Sequence, residues 1–403
     1  MFCKENVFEG LALMALLGGT SIYSSEFLTG EWSGARQQAH QAGIDFFAAY
    51  ANDLMGNPIG GQSQGFTNAG SLDTVLIFDL DTIAKIPGCG LYNSICWRSG
   101  SNLSAKFIGN EFPVQQLYGG ETYKLVELYL QESLFNRCLN LKLGRVCAGN
   151  DFIASPLYLR YVSGAINSNP ISVFLNTFFS TYPFATWGAY LDFRIHPCLF
   201  KFGIYNCNQN IWKNKYHGFN FSFESPQGVM WISEWTYLHN QESNSRGLLG
   251  NYTIGGYYIS GQAVSNYGYY LQFDQKIYRG LTSWGAFLFA PADRNEFPFF
   301  CAAGLIYQGM WASRPRDALC LGMTYGHYSD DMRKTDLLAK RKAILGPFAS
   351  HAQSAEANIE LNYWFQATSW LTLTPVAQYI INPKGFGAIQ NALVAGIQVS
   401  VDL

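Results

Sequence analysis

Along residues 358–403, apolar and polar side chains alternate with a period of two. Asn358-Ile-Glu-Leu-Asn-Tyr-Trp-Phe-Gln366, Leu371-Thr-Leu-Thr374 and Leu393-Val-Ala-Gly-Ile-Gln-Val-Ser-Val-Asp-Leu403 each set one apolar face against one polar face. Strands of about ten residues with this pattern suit a transmembrane antiparallel β-barrel, which has lipid outside and water inside. Closure also removes the unpaired edge that hydrocarbon cannot satisfy. Read backwards, the pattern predicts strands at 392–403, 370–381, 357–366, 318–327, 300–311, 282–290 and 267–278. Upstream, 123–132 and 138–146 pair over Leu134-Phe-Asn-Arg137. Short turns alternate with longer segments such as 328–356, so the short ones are expected on the periplasmic side. Residues 29–42 read as a short helix, capped by Thr29 or Ser33, at the periplasmic mouth or in the lumen. No repeat, linker or composition break divides the chain, so 26–403 is expected to be one domain.

Period two also assigns faces. In 124–132, Val126, Leu128 and Leu130 are expected to meet lipid, which turns Glu127, Tyr129 and Gln131 inward. In 186–195, Trp187, Ala189, Leu191, Phe193 and Ile195 face out, leaving Tyr190, Asp192 and Arg194 inside. Lys201 and Tyr205 point inward. So do Gln272, Asp274 and Lys276, and likewise Glu360, Asn362, Trp364 and Gln366. Asp73, Asp79 and Asp81 are expected inward on an early strand, opposite Leu76, Phe78 and Leu80. In 229–238 both faces mix, and alternation assigns neither.

Composition agrees with this pattern. Of 403 residues, 13% are charged, about half the usual share, and 16% are aromatic. Interfacial aromatic girdles account for that balance. A large soluble β-sandwich is the competing class. Mean hydropathy is zero, and no run approaches the roughly 18 apolar residues of a membrane helix. A net charge of −2 argues against nucleic-acid binding. Lys4 and the apolar stretch Gly10–Leu17 outline a signal peptide spanning 1–25, cleaved near Ser24 or Ser25.

There are nine cysteines. Cys138 and Cys147, or Cys198 and Cys207, would lie roughly 30 Å apart on an extended strand, too far for a disulfide. Cys89 and Cys96 can bridge only if their segment is a loop. With no Cys-x-x-Cys and six unclustered histidines, neither metal nor cofactor is expected. Gly61-Gln-Ser-Gln-Gly65 has the spacing of a nucleophile elbow, but it lacks the following apolar helix, so no enzyme is expected. Asp330-Asp331 reads as a solvated loop. Arg333-Lys334 with Lys340-Arg-Lys342 is either a solvated loop, a positive constriction or a contact for anionic lipopolysaccharide.

Several motifs together resemble the carbohydrate-selective porin (OprB) family. Its opening motif, roughly Leu-Thr-Gly-Asp-Trp-Gly-Gly-x-Arg, is matched by Leu28-Thr-Gly-Glu-Trp-Ser-Gly-Ala-Arg36. Its Asp-Phe-x-x-Ser-Pro element is matched by Asp151-Phe-Ile-Ala-Ser-Pro156. Glu127 through Arg145, Tyr252–Tyr258, Tyr270–Gln275, Pro291–Arg294, Gly309–Asp317, Glu360–Tyr363 and Pro375–Pro383 follow in family order. Ser33 replaces a usual Gly, and Leu403 stands where outer-membrane proteins end on an aromatic. The resemblance implies about 16 strands in a Gram-negative outer membrane, passing small sugars down their gradient. Glu127, Tyr129, Arg145, Tyr190, Asp192, Arg194 and Glu360 are the expected pore-lining, sugar-facing residues. The mixed charges, amides and rings favour neutral solutes, although any water-filled barrel has a polar interior. A general diffusion porin, or a structural or adhesive protein joined through disulfide-linked partners, are the alternatives. Monomer and homotrimer both remain open.

Overall fold

A computed structural model describes residues 27–242, 245–261, 265–331, 354–385 and 387–403. The expected signal segment and the basic run of 333–342 lie outside the described residues. Within them, sixteen antiparallel strands form a closed barrel, with the first strand paired to the last. The first four strands are β1 (Ile44–Gly61), β2 (Gly65–Asp79), β3 (Cys89–Gly100) and β4 (Thr122–Leu134). β5 (Leu139–Val146), β6 (Thr186–Ile195), β7 (Cys198–Asn206) and β8 (Val229–His239) follow. β9 (Gly250–Ser260), β10 (Asn266–Tyr278), β11 (Leu281–Phe289) and β12 (Phe299–Gln308) continue the wall. β13 (Ala318–His327), β14 (Ala355–Gln366), β15 (Leu371–Ile381) and β16 (Gln390–Asp402) close it. The strands expected from alternation all form, with ends shifted by a few residues. Both ends of the described chain lie at the rim joined by the shorter connections, which marks that rim as periplasmic. The rule has exceptions: the β1–β2 link at the external rim is only residues 62–64, while 240–249 is a longer periplasmic one.

Outward aromatics collect at both rims. Tyr269, Phe289, Phe299 and Tyr325 form a run of ring contacts at 5.1, 5.3 and 6.3 Å near the external end. Phe200 stacks on Trp235 at 6.4 Å towards the periplasmic end. These rings, apolar in body and able to meet water at the edge, suit the two lipid–water boundaries.

The lumen is not an open pipe. Loop 147–185 folds into it and builds an apolar core with one side of the inner wall. Phe152, Tyr158, Tyr161 and Phe179 from the loop cluster with Met230, Ile232, Ile259, Trp284, Leu288, Phe300 and Ile306 from the strands. This explains why β8 defied assignment. Its inward residues are Met230, Ile232, Glu234, Thr236 and Leu238, and its outward ones include Trp231, Trp235 and Tyr237. The inner face carries Met230 and Ile232 because it meets a packed loop rather than water.

Several face assignments need correcting. Val126 points inward, packed with Cys96, Cys147 and Ala185, because the β3–β4 register slips between Asn93 and Ile95. A single extra residue reverses every face beyond it. Asp79, the last residue of β2, and Asp81, in the short helix after it, do not line the lumen cavity. Asp79 caps the short helix Leu80–Ala84, accepting from the Asp81 N–H at 3.0 Å and the Thr82 hydroxyl at 2.6 Å. The N-terminal helix is Ala35–Gln41, with Gly34 at its N-cap rather than Thr29 or Ser33. It lies at the periplasmic mouth, where Arg36 donates to the Phe46 and Leu403 carbonyls. Cys89 and Cys96 both lie on β3, so the loop that a bridge between them requires is not there.

Candidate functional site

Loop 147–185 fills the β6–β13 side, and Leu103, Ile108 and Val114 of loop 101–121 pack against the external parts of β1, β15 and β16. A solvent-open cavity of about 1020 Å³ remains. Wall residues Asp73, Tyr92, Arg98, Glu127, Trp364 and Gln398 line it. Opposite them stand Gln116 from loop 101–121 and Asn150, Asn167 and Tyr182 from loop 147–185. The cavity is therefore bounded by the strand wall on one side and by inserted loops on the other.

Four wall carboxylates hold the loops in place. Glu360 accepts the Val162 and Ser163 N–H groups at 2.8 and 2.7 Å, and the Asn362 amide at 2.6 Å. Glu127 accepts the Cys147 N–H and the Asn150 amide, both at 3.0 Å. Glu234 takes the Ile153 N–H at 2.6 Å and pairs with Lys201 at 3.1 Å. Glu356 receives the Phe112 N–H at 2.7 Å and the Glu111 N–H at 2.8 Å, fixing loop 101–121. Inserted loops expose backbone donors that a strand ladder would otherwise satisfy, and a carboxylate offers two strong acceptors at once.

Within this lining, Asp73 is the hub of a hydrogen-bonded cluster. It accepts from the Tyr182 hydroxyl at 2.6 Å and from Ser71, and lies 3.8 Å from the Arg98 guanidinium. Arg98 also donates to the Leu117 carbonyl at 2.7 Å, tying the second loop to the same cluster. Burial, with Asp73 beside it, holds the Tyr182 hydroxyl well above its ordinary pKa, so it remains a donor. Tyr92, which lines the cavity, stacks on Tyr129 at 4.7 Å, and its buried hydroxyl has no protein partner. Arg160 covers the Trp364 ring at 4.0 Å. The cavity thus offers rings, amides and both charge signs within one short passage.

The seven expected residues separate into distinct places. Only Glu127 lines the open cavity. Tyr129, Tyr190 and Asp192 point inward as expected but lie beneath the loop. Lys142 sits against the Tyr129 and Tyr190 rings at 5.4 and 5.1 Å and pairs with Asp151 at 2.6 Å, while Tyr190 donates to Asp192 at 3.1 Å. Glu360 is inward and buried as a loop anchor. Arg194 lies exposed at the periplasmic turn beside cis-Pro197. Arg145 is not a lumen residue: it shares the outward face with exposed Leu143 and stands opposite Trp187. Among the cavity-lining residues, Arg98, Tyr92 and Tyr182 went unread. Tyr182 sits in an irregular loop without periodicity, and the Arg98 segment has apolar residues on both faces. The Gly61–Gly65 motif forms the β1–β2 hairpin rather than a strand–turn–helix elbow, with Ser63 N–H donating to Phe107 O at 2.9 Å.

Comparison with known proteins agrees with this architecture. The chain is 26% identical to Porin B of Pseudomonas aeruginosa, covering 93% of this chain and 91% of that protein. It is 24% identical to the putative porin QuiX of Acinetobacter baylyi, covering 98% of each. The high-pH structure of Pseudomonas putida OprB superposes with a TM-score of 0.85 at 26% identity, covering 95% of this chain and all of that one. The sequence profile described as "Carbohydrate-selective porin, OprB family" matches residues 63–403. This chain is therefore an outer-membrane β-barrel porin, and it belongs to the carbohydrate-selective porin OprB family.

Proposed function

We propose that this porin passes small neutral carbohydrates by facilitated diffusion, selecting them at the passage between loop 147–185 and strands β1–β4 and β14–β16. The observation that carries this reading is the lining itself: Tyr92, Tyr182 and Trp364 rings stand beside Asp73, Arg98, Glu127, Gln116 and Asn150. Sugars present C–H faces to aromatic rings and hydroxyls that pair with carboxylates, guanidinium and amides. Each contact replaces part of the solute's hydration. Conduction requires that the sum be weak enough to release. Arg98 stands among the carboxylates Asp73, Glu127 and Asp402 and offsets part of their field. The mechanism involves no covalent step.

Liposome swelling with refolded protein, comparing glucose, a disaccharide and amino acids of matched size, tests the reading. Faster swelling with glucose than with a size-matched amino acid is expected. Equal rates would replace the proposal with a general diffusion porin. No swelling from a correctly folded barrel would replace it with a structural role.

A further inference from the structure

A second cavity lies on the opposite side of the wall. At Val146 the chain leaves β5 and turns inward, so the external part of β4 loses its neighbour. Loop 207–228 fills that gap from outside. Its His217 carbonyl accepts the Leu125 N–H at 3.0 Å, and the His217 ring stacks on outward Tyr123 at 4.3 Å. Gly218, at a φ of +76°, lies so close to Leu125 that a Cβ there would strike its carbonyl. Between this loop and the external ends of β5–β7 is a narrow, solvent-open cleft whose empty space of about 380 Å³ includes its open mouth, lined by Arg145, Trp187, Asn206, Asn210, Lys213 and Asn220 among others.

The chemistry of this cavity is one-signed. It contains the cations Arg145 and Lys213, and none of the residues lining it is acidic. Arg145 is 5% exposed. It donates through its terminal nitrogens to the Gly218, Asn220 and Ala185 carbonyls, yet its Nε–H has no partner. The Asn206 Oδ1 is likewise buried without a donor, while its amide nitrogen is held by the Glu224 carbonyl at 2.9 Å. A guanidinium donor and a carboxamide acceptor left unsatisfied beside one cavity suit a ligand that offers an acceptor to the one and a donor to the other. Phe219, Phe221 and Phe223 stand exposed on the loop, with Phe223 stacked on Trp187 at 4.3 Å. The cavity therefore opens on the lipid-facing side at the external rim, beside an apolar apron.

The geometry points to a site for one phosphorylated glycolipid of the external leaflet. The phosphate would meet Arg145 and Lys213, the sugar hydroxyls the Asn206 and Asn210 amides, and the acyl chains Phe219–Phe223. Such a ligand would brace the loop that replaces the missing wall of β5. This site is separate from the conduction path, so it stands or falls independently of sugar selectivity.

Native mass spectrometry of the full-length barrel in detergent tests the proposal, with bis-phosphorylated lipid A, the same lipid stripped of phosphate, and inorganic phosphate as probes. One lipid A per chain is expected, with the stripped lipid at least about tenfold weaker, as befits loss of a charge-assisted contact. Lys213→Ala, at an exposed position, is expected to weaken binding about fivefold. Arg145→Met should weaken it further and leave glucose swelling unchanged. Equal binding of stripped and phosphorylated lipid would overturn the proposal, as would wild-type affinity in Lys213→Ala together with Arg145→Met. Displacement of lipid A by equimolar inorganic phosphate would also overturn it, identifying a free-anion site instead.

Discussion

Replacing Glu360 with alanine tests whether wall carboxylates set the width of the passage. Glu360 is 1% exposed and is the acceptor for two adjacent backbone N–H groups, those of Val162 and Ser163. Without it, both donors are left in a site that holds little water. An orphaned buried donor costs about 1–3 kcal/mol, so the pair costs roughly 2–6 kcal/mol. A change of about 1.4 kcal/mol is tenfold in a population, so a loop detached around 160–168 gains about 30-fold or more. That stretch carries Asn167 and Ser168, which line the passage. The rest of the loop keeps its other anchors, Glu127 at Cys147 and Glu234 at Ile153. The barrel itself should therefore survive. Single-channel recording in a planar bilayer should show higher conductance, more current noise and weaker block by glucose. Glu360→Gln keeps one acceptor oxygen and should fall between. Wild-type conductance and noise in a folded Glu360→Ala barrel would refute the anchoring role.

Three further outcomes follow from single contacts. Tyr92→Phe removes a hydroxyl that has no protein partner, so glucose block should weaken about two- to tenfold with conductance unchanged; stronger or equal block would exclude Tyr92 from sugar contact. Asp73→Asn removes one of the carboxylates of the cavity while Arg98 stays, so the zero-current potential in a salt gradient should move towards anion preference; an unmoved potential would mean that ions do not sense this cluster. At the periplasmic turn before β13, burial raises the Asp317 pKa, but bonds from Arg314, both at 2.9 Å, from Tyr363 at 2.7 Å and from the Gln366 N–H outweigh it and hold the carboxyl below its ordinary range. A depressed carboxylate stabilises the fold above its unfolded pKa and loses that contribution as pH falls through its folded pKa. Asp317→Asn should therefore lower the melting temperature at pH 7, with the loss shrinking as the pH falls below the ordinary carboxylate range; an equal loss at every pH would assign the effect to packing.

The sequence alone determined the wall. Alternation over 357–366, 370–381 and 392–403 was legible because every strand in a lipid-embedded barrel meets the same two solvents, and period two records that contrast residue by residue. Inward positions such as Glu127, Tyr129, Tyr190 and Glu360 were readable for the same reason. Alternation cannot tell what an inward side chain meets. Only the tertiary structure decided that Tyr190 and Glu360 face a packed loop while Asp73, Tyr92 and Arg98 face the passage, because loop 147–185 has no period and its placement depends on contacts with β6 through β14. Local departures had the same cause. The slip opposite Val126 is a property of paired strands, so Val126 turned inward in a way that neither strand announces by itself, whereas Arg145 keeps the outward parity of Leu139, Leu141 and Leu143. A period fixes a face within one strand; which surface covers that face is settled by contacts between segments far apart in the chain.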